Sequence, residues 1–185
     1  MSRPIRVYVS ATADLEAERE VVGEALAKFP LPLPWEIRRT PHAGDQRPEA
    51  LAGIGDSDFC LVMLGQDITA PLGAELEAAL AANVPLLALQ KDVPNTPAGR
   101  FFRYNSVERW QRFRMPADLG PLVVRFLAGN LSRNPVRYAL TPEELSVLLE
   151  HLRKWGKDKE EQAPVTGKGP AGAEDAAVIV SPGRR

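Results

Sequence analysis

The chain has 185 residues, 44% of them hydrophobic and 25% charged, with a formal net charge of -1 at pH 7. Balanced charge without a long basic run leaves nucleic acid unsupported as a partner, and the single Cys60 cannot form an internal disulfide. With neither an apolar run of about 18 residues nor a charged-then-apolar leader, the sequence predicts no membrane partner and a cytoplasmic protein of one domain plus a tail.

Ile5, Val7 and Val9 alternate with Arg6 and Tyr8, which predicts a β-strand over 5–9. Thr12 then stands at an N-cap position, Asp14 in a first turn, and Leu15, Val22, Ala25, Leu26 and Phe29 recur at helical spacing. The junction of Ser10, Ala11 and Thr12 leaves backbone N–H groups at a helix start, a cradle for phosphate or ribose oxygens. A second reading makes Ser10 and Thr12 helix caps only.

Prolines 30, 32 and 34 break regular structure before a short strand over 35–40. Residues 42–48 read as a loop on the side where strands end, with His42 either reaching a substrate or facing solvent. A short helix over 49–54 follows Pro48, and the apolar run 59–64, holding Cys60, predicts a strand buried on both faces with a buried thiol. Gly65, Gln66, Asp67, Ile68 and Thr69 then form a loop before an alanine-rich helix over 73–83 and a strand over 86–90. Glu75 and Glu77 fall in the first turns of that helix, at the edge where open α/β sheets bind ligands. The helix dipole favours a charged Glu75 there, and it equally explains glutamates with no further role.

Residues 93–99 read as a loop. Arg100, Arg103, Arg109, Arg112 and Arg114 cluster with Phe102, Tyr104 and Trp110, a composition that can stack a base and bind phosphates. The other reading is an edge strand over 107–113 with its arginines turned to solvent. Pro116 opens a helix with Leu119, Leu122, Val123, Phe126 and Leu127 as its core stripe, ending near Gly129. Thr141, Pro142, Glu143 and Glu144 spell a capping box with proline at N1, and Trp155 and Gly156 close that last helix. From Lys157 the composition predicts a flexible tail, in which Ala176, Ala177, Val178, Ile179 and Val180 could add to a sheet edge.

The opening run IRVYVSATADLEAERE resembles a bacterial TIR-like domain of unknown function that often begins STAND-type signalling NTPases and reads IRVFVSST, a gap, then DLxxER. Ser10, Thr12, Asp14, Leu15, Glu18 and Arg19 fall on that pattern, and Ala11 departs from its usual serine. The stretch SDFCLVMLG, a loop, then GAELEAALAANVPLLAL is similar to nucleoside 2-deoxyribosyltransferases. Measured back from Pro85, that resemblance puts the family's nucleophilic glutamate at Glu75, and TIR-type NAD hydrolases carry a glutamate on a corresponding helix. Glu77 stands where the transferases prefer glycine, and residues 69–73 replace their usual Asp-Ser-Gly-Thr run.

The expected fold is one doubly wound α/β domain, a mainly parallel five-stranded flavodoxin-like sheet in order 2-1-3-4-5, over residues 1–130. A helical extension follows over 131–156 and the tail over 157–185. No Walker loop, G-x-S-x-G elbow or zinc-type spacing occurs, so no metal or resident cofactor is expected. The resemblance implies a signalling or defence domain that acts on the N-glycosidic bond of NAD or a nucleoside. Glu75 would stabilise or attack the ribose carbon, and Ser10, Thr12, Gly65 and Asp67 would hold the substrate. A different class of function fits the same residues: a non-catalytic module that binds a protein partner or another copy.

Overall fold

In the computed structural model, which describes residues 3–40, 47–106 and 109–161, five strands form one parallel sheet. They are β1 (Ile5–Ala11), β2 (Trp35–Arg39), β3 (Phe59–Leu64), β4 (Leu86–Lys91) and β5 (Gln111–Phe113), side by side in the order β2-β1-β3-β4-β5. The helices are α1 (Glu16–Ala27), α2 (Arg47–Gly55), α3 (Ala70–Ala81), α4 (Pro97–Asn105), α5 (Leu119–Arg133) and α6 (Pro142–Glu161). This is the doubly wound α/β architecture that the alternation of apolar runs and helical stripes predicts. Among the described residues no helix is long and apolar enough to cross a membrane.

The period of two in β1 divides the core. Val7, Val9 and Ala11 pack with Leu15, Val22 of α1, Val123 and Leu127 of α5 and Leu148 of α6. Tyr8 turns to the opposite face, with Cys60, Val62 and Leu64 of β3, Ile54 of α2 and Leu72, Leu76 and Ala79 of α3. All six residues of β3 are buried, as expected of a central strand covered by helices on both sides. Burial pushes the Cys60 thiol up to about 12, with the Glu75 charge adding to it, so this cysteine is a packed core group.

Several helix ends differ from the periodic reading. Helix α3 begins at Ala70 and closes on Asn83, whose φ is 53°. Asn83 N donates to Leu80 O and Val84 N to Ala79 O, both at 3.0 Å, so a left-handed cap stops the helix ahead of Pro85. Residues 97–105, read in part as loop, form α4 because Thr96 caps it, its hydroxyl accepting from Gly99 N at 3.1 Å, with Pro97 behind it. Strand β5 starts only at Gln111, and residues 107 and 108 lie outside the described residues. Helix α5 continues past Gly129, which does not take the left-handed conformation that ends helices, and α6 continues past Gly156. The predicted tail begins as the last turns of α6, and the apolar run 176–180 lies outside the described residues.

Both C-terminal helices belong to the same body as the sheet. Leu131 and Leu148 are fully buried, and Tyr138 between them stacks on Phe59 with ring centroids 5.6 Å apart. At the edge of the sheet where strands begin, the buried Asp58 accepts from Arg3 Nη2 at 2.7 Å, Arg137 Nη2 at 3.1 Å and Arg6 N at 3.1 Å. One carboxylate thus ties the N-terminus and the α5–α6 connection to β3. The capping box of α6 forms as written: Thr141 N donates to Glu144 Oε2 at 2.8 Å and Glu144 N to Thr141 Oγ1 at 3.2 Å. Thr141→Ala is expected to lower stability by about 1 kcal/mol in urea unfolding, and Thr141→Ser by a few tenths at most (~0.3).

Candidate functional site

The β1–α1 turn is built by inward-facing polar residues. A 3-10 turn over Ala13–Leu15 precedes α1, and Thr12 makes no side-chain cap to it. Its hydroxyl instead accepts from Gly65 N at 3.0 Å, and its own N–H donates to Met63 O at 3.3 Å. Thr12 is therefore a latch to the β3–α3 loop rather than the predicted cap, because a tertiary donor outcompetes the local one. Asp14 adds a second bond, accepting from Gln66 N at 3.0 Å. Partial burial would raise its pKa, but bonds from the Thr12 hydroxyl and the Gln66 N–H outweigh that and hold it below the usual carboxylate value. The latch accordingly contributes stability above the ordinary carboxylate range and loses it as pH falls through the depressed folded value.

The remaining residues of the opening pattern brace the same turn. Leu15 is in the core, and Arg19, only 6% exposed, donates from Nη2 to Ala11 O at 2.6 Å and from Nη1 to Glu16 Oε2 at 2.7 Å. Glu18 is buried, with Lys91 Nζ 2.8 Å from its Oε1 as an ion pair lacking hydrogen-bond alignment.

Glu75 lies under α3 against β1. It is 2% exposed, and its carboxylate accepts from Tyr8 Oη on Oε1 at 2.8 Å, and on Oε2 from Thr40 Oγ1 at 2.9 Å and from Ser10 Oγ. Because α3 starts at Ala70, Glu75 sits in the second turn, and the first turn holds no acidic residue. The hydroxyls of Tyr8, Ser10 and Thr40 give both buried carboxyl oxygens hydrogen-bond partners. Burial first, then the Glu75 charge, pushes the Tyr8 phenol far above its ordinary value, so Tyr8 keeps its proton and acts as a donor. Glu77 is exposed and takes no part.

Tyr8 and Thr40 are the members of this cluster that periodicity does not single out. A signal exists for the first: Tyr8 and Ser10 stand two apart on one face of a strand, and that face is covered by α3. Thr40 arrives through strand register, since Val9 pairs with Arg39 and Thr40 N donates to Val9 O at 3.2 Å. His42 lies outside the described residues.

Asp67 is exposed and is not among the hydrogen-bond partners of Glu75. Its Oδ1 accepts from Ile68 N at 2.8 Å and from the Thr96 hydroxyl, which joins it to the start of α4. Thr96 N also donates to Gln66 O at 3.0 Å, and Asn95 Nδ2 to Gly65 O at 2.8 Å. The β3–α3 loop is thus held from both sides, by Thr12 and Asp14 on one and by Asn95 and Thr96 on the other. Of the predicted site residues, Ser10 joins Glu75, Thr12 joins Gly65, and Asp67 belongs to the α4 junction. Among the described residues no group of three or more His, Cys, Asp or Glu could hold a metal ion.

Gly65 is required at its position, since a Cβ there would fall 2.0 Å from Asp14 Oδ2. Gly65→Ala must displace that carboxylate and break its bond to Gln66. The expected cost is about 1–2 kcal/mol, most of which disappears when the same substitution is made in Asp14→Ala, a non-additivity readable in a double-mutant cycle of urea unfolding.

Compared with known protein families and with curated proteins, the chain matches no family model and no curated protein.

Proposed function

We propose that this chain is a TIR-like signalling or defence domain that cleaves the N-glycosidic bond of NAD or a nucleoside, with Glu75 as its catalytic carboxylate. The observation that carries the reading is the environment of Glu75, a buried carboxylate between β1 and α3, held by hydroxyls from β1 and from the end of β2. A fixed negative charge in a water-poor site stabilises positive charge developing on a ribose ring far better than an exposed one does. As the C1′–N bond breaks, its electron pair leaves with the base. The carboxylate then either faces the oxocarbenium-like ribose or bonds to C1′, a bond that breaks again when water attacks. Water delivers hydroxide to C1′, and its proton goes to the departing base of a nucleoside or, with NAD, whose nicotinamide leaves uncharged, to solvent. Ser10 and the half-buried Thr40 are the groups nearest the ribose in this reading. Thr12, Gly65 and Asp67 act less directly, by holding the β3–α3 loop beside it.

A second reading has its own support. Both oxygens of Glu75 already have partners, and α4 exposes Phe101 and Tyr104 at 71% and 75%. Those features suit a non-catalytic module that associates through its helices, with Glu75 a structural hub.

The two readings part on incubation of the purified protein with NAD and a panel of ribo- and deoxyribonucleosides, with released base followed by chromatography. Release from any member supports the catalytic reading, and release that rises steeply with protein concentration adds assembly to it. Silence across the panel at all concentrations favours the module.

A further inference from the structure

Away from Glu75, α5, α6 and β5 enclose a groove of about 570 Å³. Its floor is apolar, made by Leu122 and Phe126 of α5 and by Leu149 and Leu152 of α6, and Leu149 is 40% exposed. Its rim carries Arg125 and Arg133 and no carboxylate. Among the described residues neither arginine makes an ion pair, and Arg133 bonds only the neutral Asn130, at 3.3 Å. Gln111 of β5 also lines the groove, and among the described residues β5 is the last strand of the sheet and has no neighbouring strand on its outer backbone edge.

An occupant that completes this surface is apolar, prone to extended structure and acidic at one end. The chain carries such a segment: Glu174 and Asp175, followed by Ala176, Ala177, Val178, Ile179 and Val180. We infer that residues 174–180 fill this groove in their own chain, with the two carboxylates on Arg125 and Arg133. Val178 and Val180, which share one face of an extended segment, cover Leu149 and Leu152. Strand addition beside β5 gives the segment's backbone groups partners while its side chains fill the floor.

Chain length permits the return. Leu152 lies nine residues before Glu161 on α6, about 13 Å along the helix at 1.5 Å per residue. Residues 162–173 can span roughly 40 Å when extended, about three times what is needed. A tether of that length also keeps the segment at an effective concentration in the millimolar range (~1 mM), which favours its own groove over that of another copy.

The test is amide hydrogen exchange of the full chain, resolved by peptide. The expected result is exchange over 176–180 that is about tenfold or more slower than in a synthetic peptide of the same sequence, and unchanged over about a hundredfold range of protein concentration. Glu174→Arg with Asp175→Arg alters neither α5 nor α6, and it is expected to abolish the protection. Adding Arg125→Glu with Arg133→Glu is expected to restore it. Free-peptide exchange in the unaltered chain would overturn the inference. So would protection that grows with concentration, which would assign the groove to a second copy, or charge reversal without rescue in a variant whose circular dichroism is native.

Discussion

Glu75→Ala is expected to lower the stability of this protein by about 3–5 kcal/mol, the largest loss from any single polar substitution in the described residues. Alanine removes the acceptor for Tyr8, Ser10 and Thr40 at once and opens a cavity between α3 and β1. Tyr8 is 1% exposed and Ser10 fully buried, so neither hydroxyl recovers a bond to bulk water, whereas the half-buried Thr40 can. Glu75→Gln should cost far less, about 1 kcal/mol, because the amide oxygen still accepts and the hydroxyls can rotate to accept from its NH₂. Tyr8→Phe lies between, since it removes one donor and leaves two on the carboxylate. Chemical unfolding of the three variants in urea, with slopes compared to confirm a common denatured state, gives the ranking Ala, Phe, Gln from most to least destabilised. A Glu75→Gln loss equal to that of Glu75→Ala would mean that charge, rather than hydrogen bonding, dominates the site.

The second large effect is expected at the opposite edge of the sheet. Asp58→Ala should cost about 2–3 kcal/mol, less than a fully buried ion pair because Arg3 and Arg137 are 61% and 58% exposed and regain water. The part that cannot be regained is the bond from Arg6 N to a carboxylate whose side chain is 2% exposed. Arg137 lies between α5 and α6, so the loss should be regional as well as global. Hydrogen exchange of Asp58→Ala is expected to accelerate first in the α5–α6 connection and the start of α6. Uniform acceleration over the whole chain would show that Asp58 does not tie that connection to β3.

The strand positions and the two-sided core were legible because they rest on patterns that need no distant partner, and the strand order followed from the doubly wound class that they imply. Val7 and Val9 alternate with Tyr8, and β3 is apolar throughout, so each strand declares its layers locally. The α6 capping box is legible for the same reason, its donors and acceptors lying three residues apart. Thr12 illustrates the converse: its local pattern is that of a cap, but Gly65, far away in sequence, takes its hydroxyl. Helix α4 is nine residues long and contains Gly99, so propensity hid it; a Cβ at that glycine would come 3.1 Å from Gln66 O, a tight approach to the β3–α3 loop. Glu75 could be singled out by resemblance and by its place after β3, while the hydroxyls that hold it depend on register between β1 and β2 and on the rotation of α3. Spacing along one strand carries no information about either.

The most direct test of the central claim is the rate of base release by Glu75→Gln beside the unaltered protein, on the best substrate of the panel and after unfolding curves have shown that the variant is native. If Glu75 is the catalytic carboxylate proposed above, loss of its charge with the hydrogen-bonded shape kept is predicted to slow release by about 10²–10⁴-fold with little change in KM. Equal release by the folded Glu75→Gln variant would contradict the claim and leave Glu75 as the hub of a structural polar network.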